Sequence, residues 1–288
     1  MVARVREIDR PRLPRLHNRA LPAKYVQIGG EAIHFLHTGA TTLPDVPPAL
    51  EAGALFVCVH GAGRNAGDFR RTLAGLTPAD SAAALDLPGH GRSTGLEGLP
   101  SMDAYADVVQ RFTDAVVGRP FVLVGWSMGA FVALTLGRRR PPRLAGLVLI
   151  AGAPVWSLDE AMLAALHDVV RGRRSQIFDQ TLFAPSTSLE VMREAWTEQV
   201  KTDPRVLYGD LRAGARFDAR PLLAEIRVPT LVIHGADDRI TSRAQGEALA
   251  GGIAGARLAV VDGAGHVPHL ERPERVHELL TSFAASLA

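Results

Sequence analysis

Gly125-Trp126-Ser127-Met128-Gly129 lies between an all-apolar run, residues 121–124, and a segment of helical pattern, Met128–Arg139, that Pro141-Pro142 brings to a stop. A serine with glycines two positions to either side has mechanical meaning in one setting, a sharp turn from a strand straight into a helix. The turn forces the serine into a strained backbone conformation, and the glycines remove side chains that would collide there. The hydroxyl then stands at the end of the strand, beside the free N–H groups and partial positive charge of the helix start. Ser127 is therefore the candidate nucleophile; the alternative is a structural turn with a bystander hydroxyl.

The flanking pattern fits that setting. Runs at 25–28 and 32–36, separated by Gly29-Gly30, read as an antiparallel hairpin at a sheet edge. The nearly all-apolar runs Leu55–Val59, 82–85, 121–124, 147–150, 230–233 and 258–261 read as strands covered on both faces. Residues 38–53, with Pro44, Pro47 and Pro48, read as a loop. Helical patterns fall at 68–76, 103–117 (with Ser101 or Asp103 as N-cap), 128–139 and 273–287. Alternation of this kind makes an α/β fold around a mainly parallel sheet. It lapses between Pro154 and Pro221, where the pattern gives helices at 159–170, 176–182 and 189–201 and no strand. The expected division is a basic arm at 1–22, a core of 23–153 and 222–288, and a helical lid at 154–221.

Composition matters mainly for what it excludes. With 47% hydrophobic residues, the 288-residue chain can bury a large core. The net charge of +2 reflects an arginine excess, and Arg138–Arg140 and Arg171, Arg173 and Arg174 read as solvated helix ends. No motif accompanies them that would suggest a nucleic-acid partner. Cys58, the one cysteine, falls inside an apolar strand and reads as a small buried hydrophobe, so no internal disulfide is needed. The N-terminal 19 residues lack the apolar stretch of a secretory signal, and no run approaches a membrane span. A soluble, cytoplasmic protein with no membrane partner is expected; the oligomeric state is open.

A serine hydroxyl attacks only if a base takes its proton. His266 follows the strand at 258–261 in the glycine-rich turn Asp262-Gly263-Ala264-Gly265, where it can reach a serine at a neighbouring strand end; His269, after Pro268, is the fallback. A carboxylate should orient that histidine. The strand at 230–233 runs into His234-Gly235-Ala236-Asp237-Asp238, leaving two aspartates of which one can face it. One donor to a developing oxyanion should be the backbone N–H of Met128, and a second should come from the small-residue loop His60-Gly61-Ala62-Gly63-Arg64-Asn65.

With His60-Gly61, Asp86-Leu87-Pro88-Gly89-His90-Gly91-Arg92-Ser93, Gly125 to Gly129, Gly235 to Asp238, and Gly265-His266 through Glu271-Arg272-Pro273-Glu274 in that order, the chain resembles the α/β-hydrolase fold family. Its nearest likeness there is to the esterases, enol-lactonases, cofactor-free haloperoxidases and C–C hydrolases. The resemblance runs from about His34 to the C-terminus. It implies a mostly parallel eight-stranded sheet flanked by helices, with Ser127, Asp238 and His266 as triad and Ala62 N–H as the second oxyanion donor. No cofactor or metal is implied, and His90 reads as structural. Relatives that act on halides and epoxides use an aspartate nucleophile, which this chain lacks.

The expected substrate is a small or medium, largely apolar ester or lactone, cleaved through an acyl-serine. Trp126, Gly61, Arg64 and Trp156 are candidate pocket residues, Met128 is a further candidate for the acyl pocket, and Arg64 leaves an anionic substrate open. Of the apolar insertion residues Trp156, Met162, Leu163, Leu166, Phe178, Leu182, Phe183 and Trp196, most should pack and some should face the site. A C–C hydrolase of vinylogous diketones and a cofactor-free perhydrolase are the alternatives. Trp126, where C–C hydrolases favour asparagine, points to ester chemistry. A low-turnover ligand receptor is a third reading, disfavoured by the complete set of Ser127, Asp238 and His266.

Overall fold

In the computed structural model, which describes residues 21–156, 158–176 and 178–287, the apolar runs assemble into one eight-stranded sheet. Most of the 1–22 arm lies outside the described residues. The strands are β1 (Ala23–Ile28), β2 (Glu31–His37), β3 (Leu55–Val59), β4 (Ser81–Leu85), β5 (Phe121–Trp126), β6 (Leu144–Ile150), β7 (Thr230–Gly235) and β8 (Arg257–Val261). Their order across the sheet is β1-β2-β4-β3-β5-β6-β7-β8. The first two form the edge hairpin, whose Gly29 and Gly30 have φ of 61° and 90°, the left-handed region that a two-residue turn needs. β2 meets β4 antiparallel, and every later pairing is parallel.

Alternating side chains divide the core between the two faces. In β3, Leu55, Val57 and Val59 join one cluster while Phe56 and Cys58 join the other. The first face is covered by α2 (Met102–Val116) and α3 (Met128–Arg139) through residues such as Phe112 and Leu134; the second by α1 (Arg70–Leu76) and, near the C-terminus, a helix at Pro273–Ala285 through Leu73 and Leu280. Each large apolar side chain so covered contributes about 1.5–3 kcal/mol. α2 starts at Ser101, whose hydroxyl accepts from Ala104 N–H at 3.2 Å. Arg139 at the end of α3 pairs with Asp103 and Asp107 in solvent.

Between β6 and β7 the described residues form helices, with one isolated bridge between Val155 and Asp218. They are α4 (Glu160–Val170), α5 (Leu189–Gln199), α6 (Pro204–Ala215) and α7 (Arg220–Leu223). The expected helix at 176–182 is a correction: only Gln180–Leu182 makes a 3₁₀ turn. Asp179 caps Thr181, the Leu182 carbonyl is taken by His266 N–H, and tertiary bonds replace a helical ladder. α6 lies outside the expected helices, although Asp203 caps it and Pro204 occupies its first turn. The rest of the chain contains α8 (Arg243–Gly252), α9 (Pro268–Glu271) and α10 (Pro273–Ala285), so the expected 273–287 helix ends two residues early. The 68–76 helix is a 3₁₀ turn, Ala66–Phe69, leading into α1. No helix among the described residues is long and apolar enough to cross a membrane.

Candidate active site

Strands β3, β5, β7 and β8 are parallel, so the loops after them all emerge at one edge of the sheet. Ser127 stands at the end of β5 with φ 53° and ψ −115°, the strained geometry its motif demands. The glycines explain how it is tolerated. A Cβ on Gly125 would lie 2.1 Å from the Gly129 carbonyl oxygen, and one on Gly129 would lie 2.2 Å from that of Val59. Ser127 N–H donates to the Ile150 carbonyl at 2.9 Å, tying the turn to β6.

Ser127 Oγ lies 2.9 Å from His266 Nε2, and His266 Nδ1 lies 2.9 Å from Asp238 Oδ2. The carboxylate requires the hydrogen on Nδ1, which leaves Nε2 free to accept from the serine. Asp238 also receives Ile240 N–H (2.8 Å) and Thr241 N–H (3.0 Å) on one oxygen and the Thr241 hydroxyl (2.8 Å) on the other. Burial works to raise its pKa, but the bond and charge of His266 and the Thr241 bonds prevail, so it sits below the usual carboxylate range. Asp237 is exposed and its N–H donates to Ala264, a turn-holding role. His269 faces neither group: it stacks on Phe69, and burial pushes its pKa down to about 3.

The loop after β3 closes over the serine. A Cβ on Gly61 would lie 3.2 Å from Ser127 Cβ. His60 Nδ1–H donates to the Gly61 carbonyl (2.8 Å) while Nε2 accepts from Leu87 N–H (3.0 Å), so the buried imidazole is neutral. Its burial, with the neighbouring His90 charge, holds the pKa down to about 3. Arg64 N–H also donates to the Gly61 carbonyl. Among the described residues, neither Ala62 N–H nor Met128 N–H has a protein acceptor.

Above this group lies a cavity of about 280 Å³ whose walls include Trp126, Trp156, Met162, Leu166, Leu207 and Ile240, with Ser127 and His266 also lining it. Gly61, Ala62 and Arg64 line it as well. The Arg64 cation is already spent: its guanidinium binds Asp68 at 2.8 and 2.6 Å, the Ala195 carbonyl and Gln199. The Met128 side chain is a second correction, since it is buried in the core beneath the site. Trp126 does more than line the wall, because its indole N–H donates to the His266 carbonyl. Of the apolar insertion residues, Trp156, Met162, Leu166 and Leu182 face the cavity, Phe183 is core, and Trp196 packs edge-on to Phe178.

Three polar residues around the site carried no role in the sequence. Thr241 supports Asp238. Glu271 receives Gly265 N–H (2.8 Å) and Val267 N–H (3.3 Å) from either side of His266, and Ala184 N–H (2.8 Å) from the insertion. Asp210, on α6, reaches the loop at Gly63. His90 is indeed structural, bonded to Pro88 and Asp210.

Comparison with known proteins agrees with this architecture. The model described as "Alpha/beta hydrolase family" matches residues 56–279. A pimeloyl-[acyl-carrier protein] methyl ester esterase of Neisseria meningitidis serogroup A / serotype 4A is 31% identical over 238 residues, spanning 78% of this chain and 75% of that one. The protein of the same name from Pectobacterium carotovorum subsp. carotovorum is 28% identical over 242 residues, spanning 79% and 93%. A thermophilic esterase from Thermogutta terrifontis superposes with TM-score 0.79 at 25% identity, over 92% of this chain and 97% of that one. The enol-lactonase from Burkholderia xenovorans LB400 shares the fold, with TM-score 0.79 at 22% identity over 91% and 99%.

Proposed function

The chain belongs to the alpha/beta hydrolase family, and from that premise we propose that it hydrolyses a small or medium, largely apolar carboxylic ester through an acyl-serine intermediate. The observation that carries this reading is the line from Ser127 through His266 to Asp238, two contacts of 2.9 Å, at the wall of an apolar cavity. His266 Nε2 takes the hydroxyl proton as Ser127 Oγ bonds to the ester carbonyl carbon. The N–H groups of Ala62 and Met128 receive the oxyanion; each such donor is worth about 3–4 kcal/mol in the transition state. His266 returns the proton to the departing alkoxide, then activates water in the same way to release the acid. Asp238 keeps the Nδ1–H tautomer and balances the imidazolium.

The insertion at 154–221 serves in this reading as the lid that keeps water from the acyl group. Its share of the cavity wall is mostly apolar, through Trp156, Met162, Leu166 and Val169, with Arg174 and Asp179 beside them, which favours a largely apolar acyl or alkyl group. The relatives' names put acyl methyl esters on the substrate panel. Hydrolysis of p-nitrophenyl acetate, butyrate and octanoate, and of acyl methyl esters, by the wild type and Ser127→Ala tests the proposal. Turnover by the wild type that falls to background in the variant supports it; a fully active variant removes Ser127 from the mechanism.

A further inference from the structure

We infer that Asp210, carried by the insertion, is the positioning residue that holds the Gly61-Ala62-Gly63 loop in register with Ser127, so that seating the insertion and forming the oxyanion site are one event. The inference rests on the role proposed above for Ala62 N–H.

Asp210 is fully buried on α6, yet its carboxylate serves three elements of the core. Oδ2 accepts Gly63 N–H at 2.8 Å and His90 Nε2–H at 2.7 Å, and Oδ1 accepts the Tyr105 hydroxyl. His90 lies in the loop after β4 and Tyr105 in α2. The other ring nitrogen of His90 faces the Pro88 carbonyl at 2.9 Å, so both nitrogens donate and the ring is an imidazolium. Burial opposes that charge, but Asp210 outweighs it and raises the histidine's pKa. A buried ion pair of this kind is a poor source of net stability, because desolvation offsets the attraction. What it supplies is direction.

The direction falls on the oxyanion loop. The peptide between Gly61 and Ala62 is fixed by the Gly61 carbonyl, which accepts from His60 and Arg64. In a trans amide the Ala62 N–H must point the opposite way. The next peptide is fixed by Gly63 N–H on Asp210, a charge-assisted bond. Gly63 has φ 64°, and a Cβ there would lie 2.8 Å from Leu207 on the same helix, so loop and helix meet with no room between them. Loss of the carboxylate frees one of the two anchors of Ala62.

Asp210→Asn, which keeps size and packing, tests this, with kcat counted per active serine by titration with a fluorophosphonate. A trifluoromethyl ketone, which forms a tetrahedral oxyanion on the serine, reports the oxyanion site directly. The expected result is a fall in kcat of about 10- to 100-fold, short of the loss on deleting a donor. KM should stay within about threefold, and ketone affinity should fall in parallel with kcat/KM. Tyr105→Phe, which removes one support of the carboxylate, should give a smaller loss of the same kind, and decides the matter should the first variant fail to fold. Unchanged kcat per active serine and ketone affinity, or a rise in KM alone, overturns the inference while leaving the Ser127 reading intact. An active Ser127→Ala protein would instead remove the reading beneath it.

Discussion

The indole N–H of Trp126 donates to the carbonyl oxygen of His266 at 2.8 Å, so the residue just before the proposed nucleophile also fixes the backbone of the proposed base. Trp126→Phe keeps an aromatic wall but leaves that carbonyl, in a loop otherwise held by Leu182 and Glu271, without its donor. A lost neutral hydrogen bond costs about 1 kcal/mol. We expect kcat to fall about fivefold, read from ester hydrolysis per titrated serine, with chain-length preference retained.

The elbow glycines tolerate no side chain. Gly129→Ala, in the first turn of α3, would put a methyl 2.2 Å from the carbonyl oxygen of Val59, the last residue of the central strand β3. Val59 is paired on both sides, to β4 and to β5, so its carbonyl cannot yield without disturbing that pairing. We expect a loss of at least about 3 kcal/mol of stability in chemical denaturation and no measurable turnover. Gly118→Ala, where nothing lies within 4 Å, is the matched control and should behave as wild type.

Acid should weaken the fold earlier than its carboxylates alone would dictate. His60 and His269 are buried, and burial, the largest cause in each, lowers their pKa to about 3. Once unfolded they bind protons near pH 6.5, so below that value the unfolded state holds more protons and stability falls with pH. The stabilisation is fully present above about pH 6.5 and is lost progressively toward pH 3, at up to about 1.4 kcal/mol per pH unit for each histidine. His269→Phe, stacked on Phe69, should remove one such contribution. Denaturant midpoints at pH 7 and pH 5 should lie closer together in the variant, and an unchanged gap would count against a neutral buried His269.

Asp238 and Asp86 act at lower pH and with the usual carboxylate sign. For Asp86, burial raises the pKa, but bonds from His34, Arg92 and Ala66 outweigh it and the net shift is downward. A folded pKa below the unfolded value means stability present above about pH 4 and lost as pH falls through the folded value. Asp86→Asn should therefore flatten the acid limb below pH 4 while lowering stability at pH 7, measurable by thermal melts across that range.

Cavity shape should set chain-length preference. Leu166 on α4 faces the cavity of roughly 280 Å³, and the larger tryptophan side chain there would take up part of it. Leu166→Trp should lower kcat/KM for octanoate relative to acetate by about tenfold or more, since a few methylenes are each worth up to 1–3 kcal/mol in an apolar pocket. Equal losses on both esters would point to a disturbed catalytic group instead.

Sequence by itself determined the sheet and the candidate nucleophile, because both rest on local requirements written into neighbouring residues. Buried parallel strands need unbroken apolar runs, and a serine at φ 53° needs Gly125 and Gly129 beside it. Their order along the chain then identifies the loops that meet at the sheet edge. Tertiary structure alone decided the rest. It turned Asp238 toward His266 and Asp237 toward solvent, although two adjacent aspartates are equivalent as letters. It bound the Arg64 charge to Asp68, and kept the expected helix at 176–182 to one 3₁₀ turn whose Leu182 carbonyl takes the His266 N–H. Above all it joined Gly63 to Asp210 across 147 positions. A hydrogen bond that long in sequence leaves no periodic trace, because it depends on where two separately folded elements come to rest.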